Sequence, residues 1–287
     1  MKLQKVVFTA FCLSKVLVLL CRHVKLVLIH FKSSVSMSQE SSDQSNNEEE
    51  VAAVKKPAKG VYLLPNSFTT ASLFSGFYAV VSGMSGNFEN AAIAIFISMV
   101  LDTLDGRVAR LTNTSSKFGA EYDSLADVVA FGVAPALVLF SWSLQSLGNF
   151  GWVAAFVYVA GGALRLARFN VQLEMSDSRY FTGLPIPAAA GVMAGMIWTG
   201  VDYGLDGESL SYIVAIVTAA LGILMVSNFK YYSFKDLDLK GKVPFVALLA
   251  VVLVFAVYSL QPPIMLALTF LCFAVSGPVC WLFKITK

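Results

Sequence analysis

From Val61 to its carboxyl end, the chain alternates long apolar runs with short polar junctions. Eight of these runs approach the roughly 20 residues that a helix needs to cross the hydrocarbon core of a bilayer. They cover residues 63–85, 88–108, 121–143, 150–168, 184–201, 210–228, 243–259 and 263–283. The pattern predicts an all-α protein, a polytopic membrane bundle of about eight transmembrane helices.

Lysines and arginines occupy every second junction between these runs. After residue 50 they are Lys55, Lys56, Lys59, Arg107, Arg110, Lys117, Arg165, Arg168, Arg179, Lys230, Lys235, Lys240, Lys242, Lys284 and Lys287. The intervening junctions, GMSGNFEN, SLQSLGNFG, GVDYGLDGES and SLQPP, contain none. Because cytoplasmic loops of membrane proteins are enriched in basic residues, we expect both termini and the junction after the second run to face the cytoplasm.

The first 60 residues differ from the rest and are predicted to form an N-terminal extension to a transmembrane domain at 61–287. Residues 1–32 contain no uninterrupted apolar run of spanning length. An amphipathic surface segment, a signal peptide and a natural start at Met37 all stay open as interpretations of this part. Residues 33–60 are rich in Ser, Glu and Lys, which is typical of a disordered segment.

Composition narrows the classes of function. Of the 287 residues, 57% are hydrophobic and 14% are charged, and the mean hydropathy is +0.71, values typical of a membrane protein. A net charge of +3 is too small to indicate a nucleic-acid partner. The four cysteines lie in apolar surroundings without CxxC spacing, so neither a thiolate metal site nor a disulfide framework is indicated. Both histidines, His23 and His30, precede the membrane domain, whose acid–base chemistry therefore requires other side chains.

The candidate chemistry lies in the polar stretch DTLDGRVARLTNTSSKFGAEYDSLAD, residues 102–127. Asp102 and Asp105 are three positions apart, and Asp123 and Asp127 are four apart, so each pair shares one helical face. Two helices joined by a short loop can direct all four carboxylates to one point. Because these charges repel one another, we expect Mg²⁺ or Mn²⁺ to join them, and two such ions would form the clamp used for phosphoryl displacements.

Small and basic residues accompany the aspartates. Gly106 and Ala109 remove side-chain bulk, which would let a nucleotide or phosphate approach the helix closely. Arg110, one turn from Gly106, offers a fork of donors for a phosphate oxygen. Gly119 lies one turn before Asp123 on the same face. A single DxxD motif is more often a solvated helix end or an ion pair, but two pairs in spanning helices favour a metal site.

The arrangement Asp102-x2-Asp105-Gly106-x2-Ala109-Arg110-x8-Gly119-x3-Asp123-x3-Asp127 resembles the signature of the CDP-alcohol phosphotransferase family at every position. The resemblance implies transfer of a phosphatidyl group from CDP-diacylglycerol to an alcohol in phospholipid biosynthesis, with release of CMP. It implies that Asp102, Asp105 and Asp123 bind metal, and that Asp127 completes the site and acts as the base. It also implies a homodimer.

Three further stretches resemble the bacterial and archaeal branch of this family whose acceptor is L-serine: LPNSFTTASLFSGF at 64–77, ALRLARFN at 163–170 and FTGLPIPAAAG at 181–191. Arg165 or Arg168 could bind the serine carboxylate bidentately, although both could simply anchor the helix at the cytoplasmic side. Asn170 could bind the ammonium group or cap its helix. Two residues of the first stretch, Asn66 and Thr69, could contact the nucleotide or serve as caps.

Two alternatives to the serine transferase stay open. A sister transferase would use glycerol 3-phosphate or inositol phosphate, but a phosphorylated acceptor calls for a denser basic pocket than two or three arginines provide. A divalent-cation transporter would also need intramembrane carboxylates. It would not explain the fixed spacing of Gly106, Ala109, Arg110 and Gly119. An intramembrane prenyltransferase would also use paired aspartates, but the DGxxAR sequence at residues 105–110 argues against this class of enzyme.

Overall fold

The computed structural model describes residues 63–112, 116–172, 180–232, 253, 256 and 258–283. The N-terminal extension predicted for residues 1–60 and most of the apolar run at 243–259 lie outside the described residues. All the helices and strands named below belong to one compact unit, which contains residues 57–253 and 261–287. Of the second unit, residues 1–56 and 254–260, the structure describes helical backbone at 256 and 258–260.

The architecture of the described chain is helical, as the apolar runs predict. Its helices are α1 (Leu63–Met84), α2 (Phe88–Leu111), α3 (Lys117–Asp127), α4 (Ala134–Trp142), α5 (Asn149–Gln172), α6 (Ile186–Asp202), α7 (Ser211–Val226) and α8 (Pro262–Leu282). A π-helical segment at Val128–Val133 joins α3 to α4, so the third predicted run is one continuous helix. Every run outside 243–259 corresponds to a helix, and the total of eight spans stays a prediction.

Three helices in the described part of the chain are long and apolar enough to cross a membrane: Lys117–Trp142, Asn149–Val171 and Pro262–Leu282. The helices α6 and α7 are apolar but shorter. Many large apolar side chains are exposed rather than packed inside, including Phe150 and Tyr212. Exposed apolar surface on this scale is typical of a protein whose solvent is lipid. The chain is therefore a membrane protein.

Hydroxyl groups connect α1 to α2 along a polar seam within the apolar bundle. The Oγ atoms of Ser72 and Ser98 lie 2.8 Å apart, and each hydroxyl also bonds to the backbone carbonyl of the other residue. One turn further along α1, Ser75 donates to the Ala94 carbonyl at 2.8 Å. In hydrocarbon such groups must find protein partners, and small residues allow the two backbones to approach.

The all-α prediction missed one short antiparallel ribbon, formed by β1 (Tyr180–Thr182) and β2 (Lys230–Tyr232). Three-residue strands are too short to show the alternation by which a strand is found in a sequence. Tyr231 of β2 is buried against α8, where its hydroxyl donates to the Ala274 carbonyl at 3.0 Å. Burial raises the pKa of the Tyr231 phenol to about 12, so the hydroxyl remains a donor.

Candidate active site

The candidate site lies where α2 ends and α3 begins. Ser116 caps α3: its Oγ accepts a hydrogen bond from the Gly119 amide at 3.0 Å. This is the usual role of a serine before the first helical turn. Both α2 and α3 pack against α1. As a result the Asp102–Asp105 and Asp123–Asp127 pairs lie at the same end of the bundle.

Three of the four aspartates form a tight cluster. One carboxylate oxygen from each of Asp102, Asp123 and Asp127 lies within 4.8 Å of the other two, and all three residues are half-buried. The carboxyl groups of Asp102 and Asp127 are within hydrogen-bonding reach of each other. Two carboxylates approach so closely only when a proton or a cation lies between them.

Asp123 provides the clearest indication of a missing ligand. Its Oδ1 atom is buried and has no hydrogen-bond partner within the described part of the chain. A buried carboxylate oxygen without a donor is costly, and coordination of a cation removes that cost. The donor set consists of carboxylate oxygens, which are the ligands that Mg²⁺ and Mn²⁺ prefer. The cluster therefore fits a divalent cation.

Asp105 stands apart from this cluster. It is only 5% exposed, and its Oδ2 atom accepts a hydrogen bond from the Thr69 hydroxyl of α1 at 2.8 Å. Its charge still interacts with those of Asp102 and Asp123. The structure thus brings three carboxylates together and places the fourth beside them, oriented by Thr69.

The first helix closes one side of the site. A Cβ atom added at Gly119 would lie 3.1 Å from Ser116 Oγ, which is a tight contact, and 3.4 Å from Asn66 Oδ1, so Asn66 of α1 lies close to α3 at this glycine. The Thr70 and Tyr122 hydroxyls are 2.9 Å apart. Tyr122 in turn stacks on Phe118, with ring centroids 6.1 Å apart. Sequence reasoning missed the contact between Thr70 and Tyr122, because only the packing of α1 on α3 brings these residues together.

The side of α2 that carries Gly106 is open. A Cβ atom at this position would meet nothing within 4 Å among the residues that the structure describes. Arg110 is exposed one turn later, and its Nε donates to the Gly106 carbonyl at 2.9 Å. Ala109 is half-buried between them on the helix. This last part of α2 combines free space with a positive charge, as a phosphate-binding surface requires.

The end of α5 supplies the three residues predicted to bind the acceptor. Arg165 is 8% exposed, its charge interacts with that of Asp127, and its Nε has no hydrogen-bond partner among the described residues. Arg168 instead bonds to the carboxyl end of α7: its guanidinium group donates to Asn228 Oδ1 at 2.8 Å and to the Val226 carbonyl at 3.4 Å. The side-chain amide of Asn170 donates to Ser124 Oγ at 3.1 Å.

Two further features adjoin the site without any signal in the sequence. The π-helical segment follows Asp127 directly. Tyr158 of α5 is fully buried, and its hydroxyl donates to the Phe131 carbonyl of that segment at 2.8 Å. A tyrosine within an apolar run looks like an ordinary core residue, so its polar partner becomes visible only in the structure.

Comparison with known proteins agrees with this geometry. The family model described as CDP-alcohol phosphatidyltransferase matches residues 62–224, more than half of the chain. A Helicobacter pylori protein named CDP-diacylglycerol–serine O-phosphatidyltransferase is 39% identical over 232 residues, which are 80% of this chain and 96% of that protein. Proteins of the same name from Methanocaldococcus jannaschii and Bacillus subtilis are 38% and 37% identical. The alignments cover 55% and 60% of this chain, and 71% and 91% of those proteins, respectively.

Proposed function

Because the chain belongs to the CDP-alcohol phosphatidyltransferase family, we propose that it transfers the phosphatidyl group of CDP-diacylglycerol to the hydroxyl of L-serine. The products are phosphatidylserine and CMP. The observation that carries this function is the cluster of Asp102, Asp123 and Asp127, with carboxylate oxygens within 4.8 Å of one another beside the open surface at Gly106. A cation transporter would need the carboxylates but not the adjoining space for a nucleotide.

Asp102, Asp123 and Asp127 are the residues that would hold Mg²⁺ or Mn²⁺, and Asp105 would complete a second position beside them. When bound, such ions neutralise a diphosphate and stabilise the negative charge that develops on the departing CMP. The free Oδ1 of Asp123 supports this assignment. The hydrogen bond from Thr69 keeps Asp105 oriented toward the same end of the bundle.

The nucleotide part of the substrate is assigned to the surface between α1, α2 and α3. Gly106 and Ala109 leave room for the diphosphate, and Arg110 reaches it from the last turn of α2. Gly119 and Asn66, which lie close together where α1 packs on α3, form the opposite side. Thr69 contributes through Asp105 rather than as a helix cap, because its hydroxyl is already directed at that carboxylate.

The contacts favour Arg165 over Arg168 as the group that binds the serine carboxylate. The guanidinium group of Arg168 is engaged by Asn228 and by a backbone carbonyl. Arg165 is buried with an unmet donor, which a bidentate carboxylate would satisfy. Because Arg165 interacts with Asp127, serine held by Arg165 would present its hydroxyl to that carboxylate. The amide of Asn170 bonds to Ser124, which leaves its carbonyl oxygen to accept from the serine ammonium.

The reaction then needs one base and one in-line displacement. Asp127 accepts the proton of the serine hydroxyl as the serine oxygen forms a bond to the phosphorus of the phosphatidyl group. The bond from that phosphorus to the oxygen of CMP breaks, and CMP leaves with the electron pair. Positioning and charge neutralisation supply most of the acceleration in reactions of this kind.

We assign the site to the cytoplasmic side of the membrane, and we assign the working enzyme to a dimer because the family resemblance implies one. The sidedness rests on charge: Arg107 and Arg110 lie in the last turns of α2 and Lys117 begins α3, and Arg165 and Arg168 lie in the last turns of α5. The described junctions at the opposite end, 85–87, 143–148 and 203–210, contain no lysine or arginine.

A direct assay tests the function. Purified protein is given CDP-diacylglycerol and Mn²⁺ or Mg²⁺, with labelled serine, glycerol 3-phosphate or inositol phosphate in separate reactions. We expect CMP release and a labelled lipid with serine alone, loss of both on addition of EDTA, and recovery when the cation is restored. A product with another alcohol would reassign the acceptor. No CMP from any reaction, together with Mn²⁺ flux into proteoliposomes, would replace the transferase by a transporter.

A further inference from the structure

The helix that carries Asp123 and Asp127 changes its geometry directly after Asp127. Over Val128–Val133 the backbone is π-helical, and the amide of Ala134 bonds to the Val129 carbonyl five residues back instead of four. Such single turns interrupt the regular hydrogen-bond ladder and are frequent at functional sites. The π-helical segment fixes the rotation of α3 relative to α4. A change in the geometry of this segment would therefore redirect the Asp127 carboxylate relative to α4.

The neighbouring helix α5 runs antiparallel to this segment and meets it at three successive levels. Asn170 bonds to Ser124, at 3.1 Å. One level further, the charge of Arg165 interacts with that of Asp127. At the third level, the Tyr158 hydroxyl donates to the Phe131 carbonyl at 2.8 Å. The last contact is the one that reaches the π-helical segment itself.

Tyr158 is suited to hold that segment in place. It lies seven residues before Arg165, two helical turns or roughly 10 Å along α5, and so on the same face. Its side chain is fully buried, so water does not compete for the hydroxyl. The acceptor carbonyl belongs to Phe131, one turn beyond Asp127. Without this donor, a buried carbonyl in an already irregular turn would lose a hydrogen bond, and the turn would gain freedom to rotate.

We propose that Tyr158 is a positioning residue, whose hydrogen bond to Phe131 fixes the π-helical segment and thereby holds Asp127 opposite Arg165. The inference rests on the proposed function insofar as Asp127 takes the serine proton. Tyr158 itself touches neither substrate nor the carboxylate cluster in this scheme. Its effect passes through the backbone, and it should therefore alter turnover and cation binding more than the binding of CDP-diacylglycerol.

The test compares Tyr158→Phe with Tyr231→Phe in the full-length protein. Both changes delete a buried phenol hydroxyl that donates to a helix carbonyl, at 2.8 Å and 3.0 Å respectively, and both keep the ring. Four quantities are measured for each variant: kcat and KM from CMP release, the dissociation constant for Mn²⁺ alone, and the thermal unfolding temperature. The second variant controls for the general cost of losing such a bond.

For Tyr158→Phe we expect kcat to fall and the Mn²⁺ dissociation constant to rise, each by about 10-fold, with KM for CDP-diacylglycerol unchanged. Tyr231→Phe should lower the unfolding temperature about as much as Tyr158→Phe does, but it should change neither kcat nor the Mn²⁺ dissociation constant. Equal losses in the two variants, or normal kcat in Tyr158→Phe, would overturn the inference. If the unmodified protein releases no CMP, the proposed function fails, and the Mn²⁺ titration alone then decides: equal affinities in all three proteins would refute the role of Tyr158.

Discussion

Gly106→Ala should stabilise the protein while impairing its catalysis. A glycine within a helix costs about 0.5–1 kcal/mol relative to alanine, and Gly106 lies five residues before the end of α2. The added methyl group would meet no atom within 4 Å in the described chain, so no steric cost offsets this gain. For a protein of this size, the unfolding temperature should rise by about 1–2 °C.

The same methyl group would occupy the space assigned to the diphosphate. Because it prevents close approach to the backbone of α2, we expect KM for CDP-diacylglycerol to rise by about 10-fold, a loss of roughly 1.4 kcal/mol in binding. KM for serine should not change. The assay is CMP release over a range of CDP-diacylglycerol concentrations, with thermal unfolding measured on the same preparation.

Gly162→Ala provides a matched control in α5. Its new methyl group would lie 3.8–3.9 Å from Ile186 and Met225, which is ordinary van der Waals contact. This variant should gain similar stability and keep normal kinetics. If Gly106→Ala is less stable than the unmodified protein, or binds CDP-diacylglycerol normally, the assignment of this surface to the nucleotide is wrong.

Three other substitutions test the remaining assignments. Asp127→Asn should lower kcat by at least about 100-fold and leave the affinity for CDP-diacylglycerol in isothermal titration nearly unchanged; a variant with near-normal turnover would exclude Asp127 as the base. Thr69→Val removes a hydrogen bond to the buried Asp105 carboxylate and should cost about 1.5–3 kcal/mol in chemical denaturation, whereas Thr69→Ser should restore most of it. Arg165→Lys should raise KM for serine by about 10-fold, because lysine cannot make the bidentate contact, whereas Arg168→Lys should leave this KM unchanged. Equal effects of the two substitutions in the kinetic assay would contradict the assignment of Arg165 to the serine carboxylate.

The helices and the aspartate cluster could be predicted because their signals are local. An apolar run of spanning length has few outcomes other than a helix, and residues three or four apart on a helix share a face whatever surrounds them. This is why the grouping of Asp102 with Asp123 and Asp127 follows from spacing and a short loop. The placement of Asp105 does not, since it depends on a hydroxyl from α1 that lies 36 positions away.

The different roles of Arg165 and Arg168 also could not be predicted from the sequence, because they too depend on tertiary packing. The two residues are three positions apart, so their side chains leave α5 in directions that differ by about 60°. That difference directs Arg165 to the site and Arg168 to Asn228, but the rotation of α5 about its axis is fixed by tertiary packing. The π-helical turn is equally hidden, because the hydrogen bond that its Phe131 carbonyl accepts from a side chain comes from Tyr158, on another helix.

The polar seam between α1 and α2 has a consequence for biogenesis. Outside the bundle, the hydroxyls of Ser72, Ser75 and Ser98 would face acyl chains with few alternative acceptors, whereas together they satisfy one another and the facing carbonyls. We therefore expect α1 and α2 to enter the bilayer together as a helical hairpin, joined by the short turn at 85–87. Release of α1 alone from the insertion machinery would expose this hydroxyl stripe to lipid until its partner emerged.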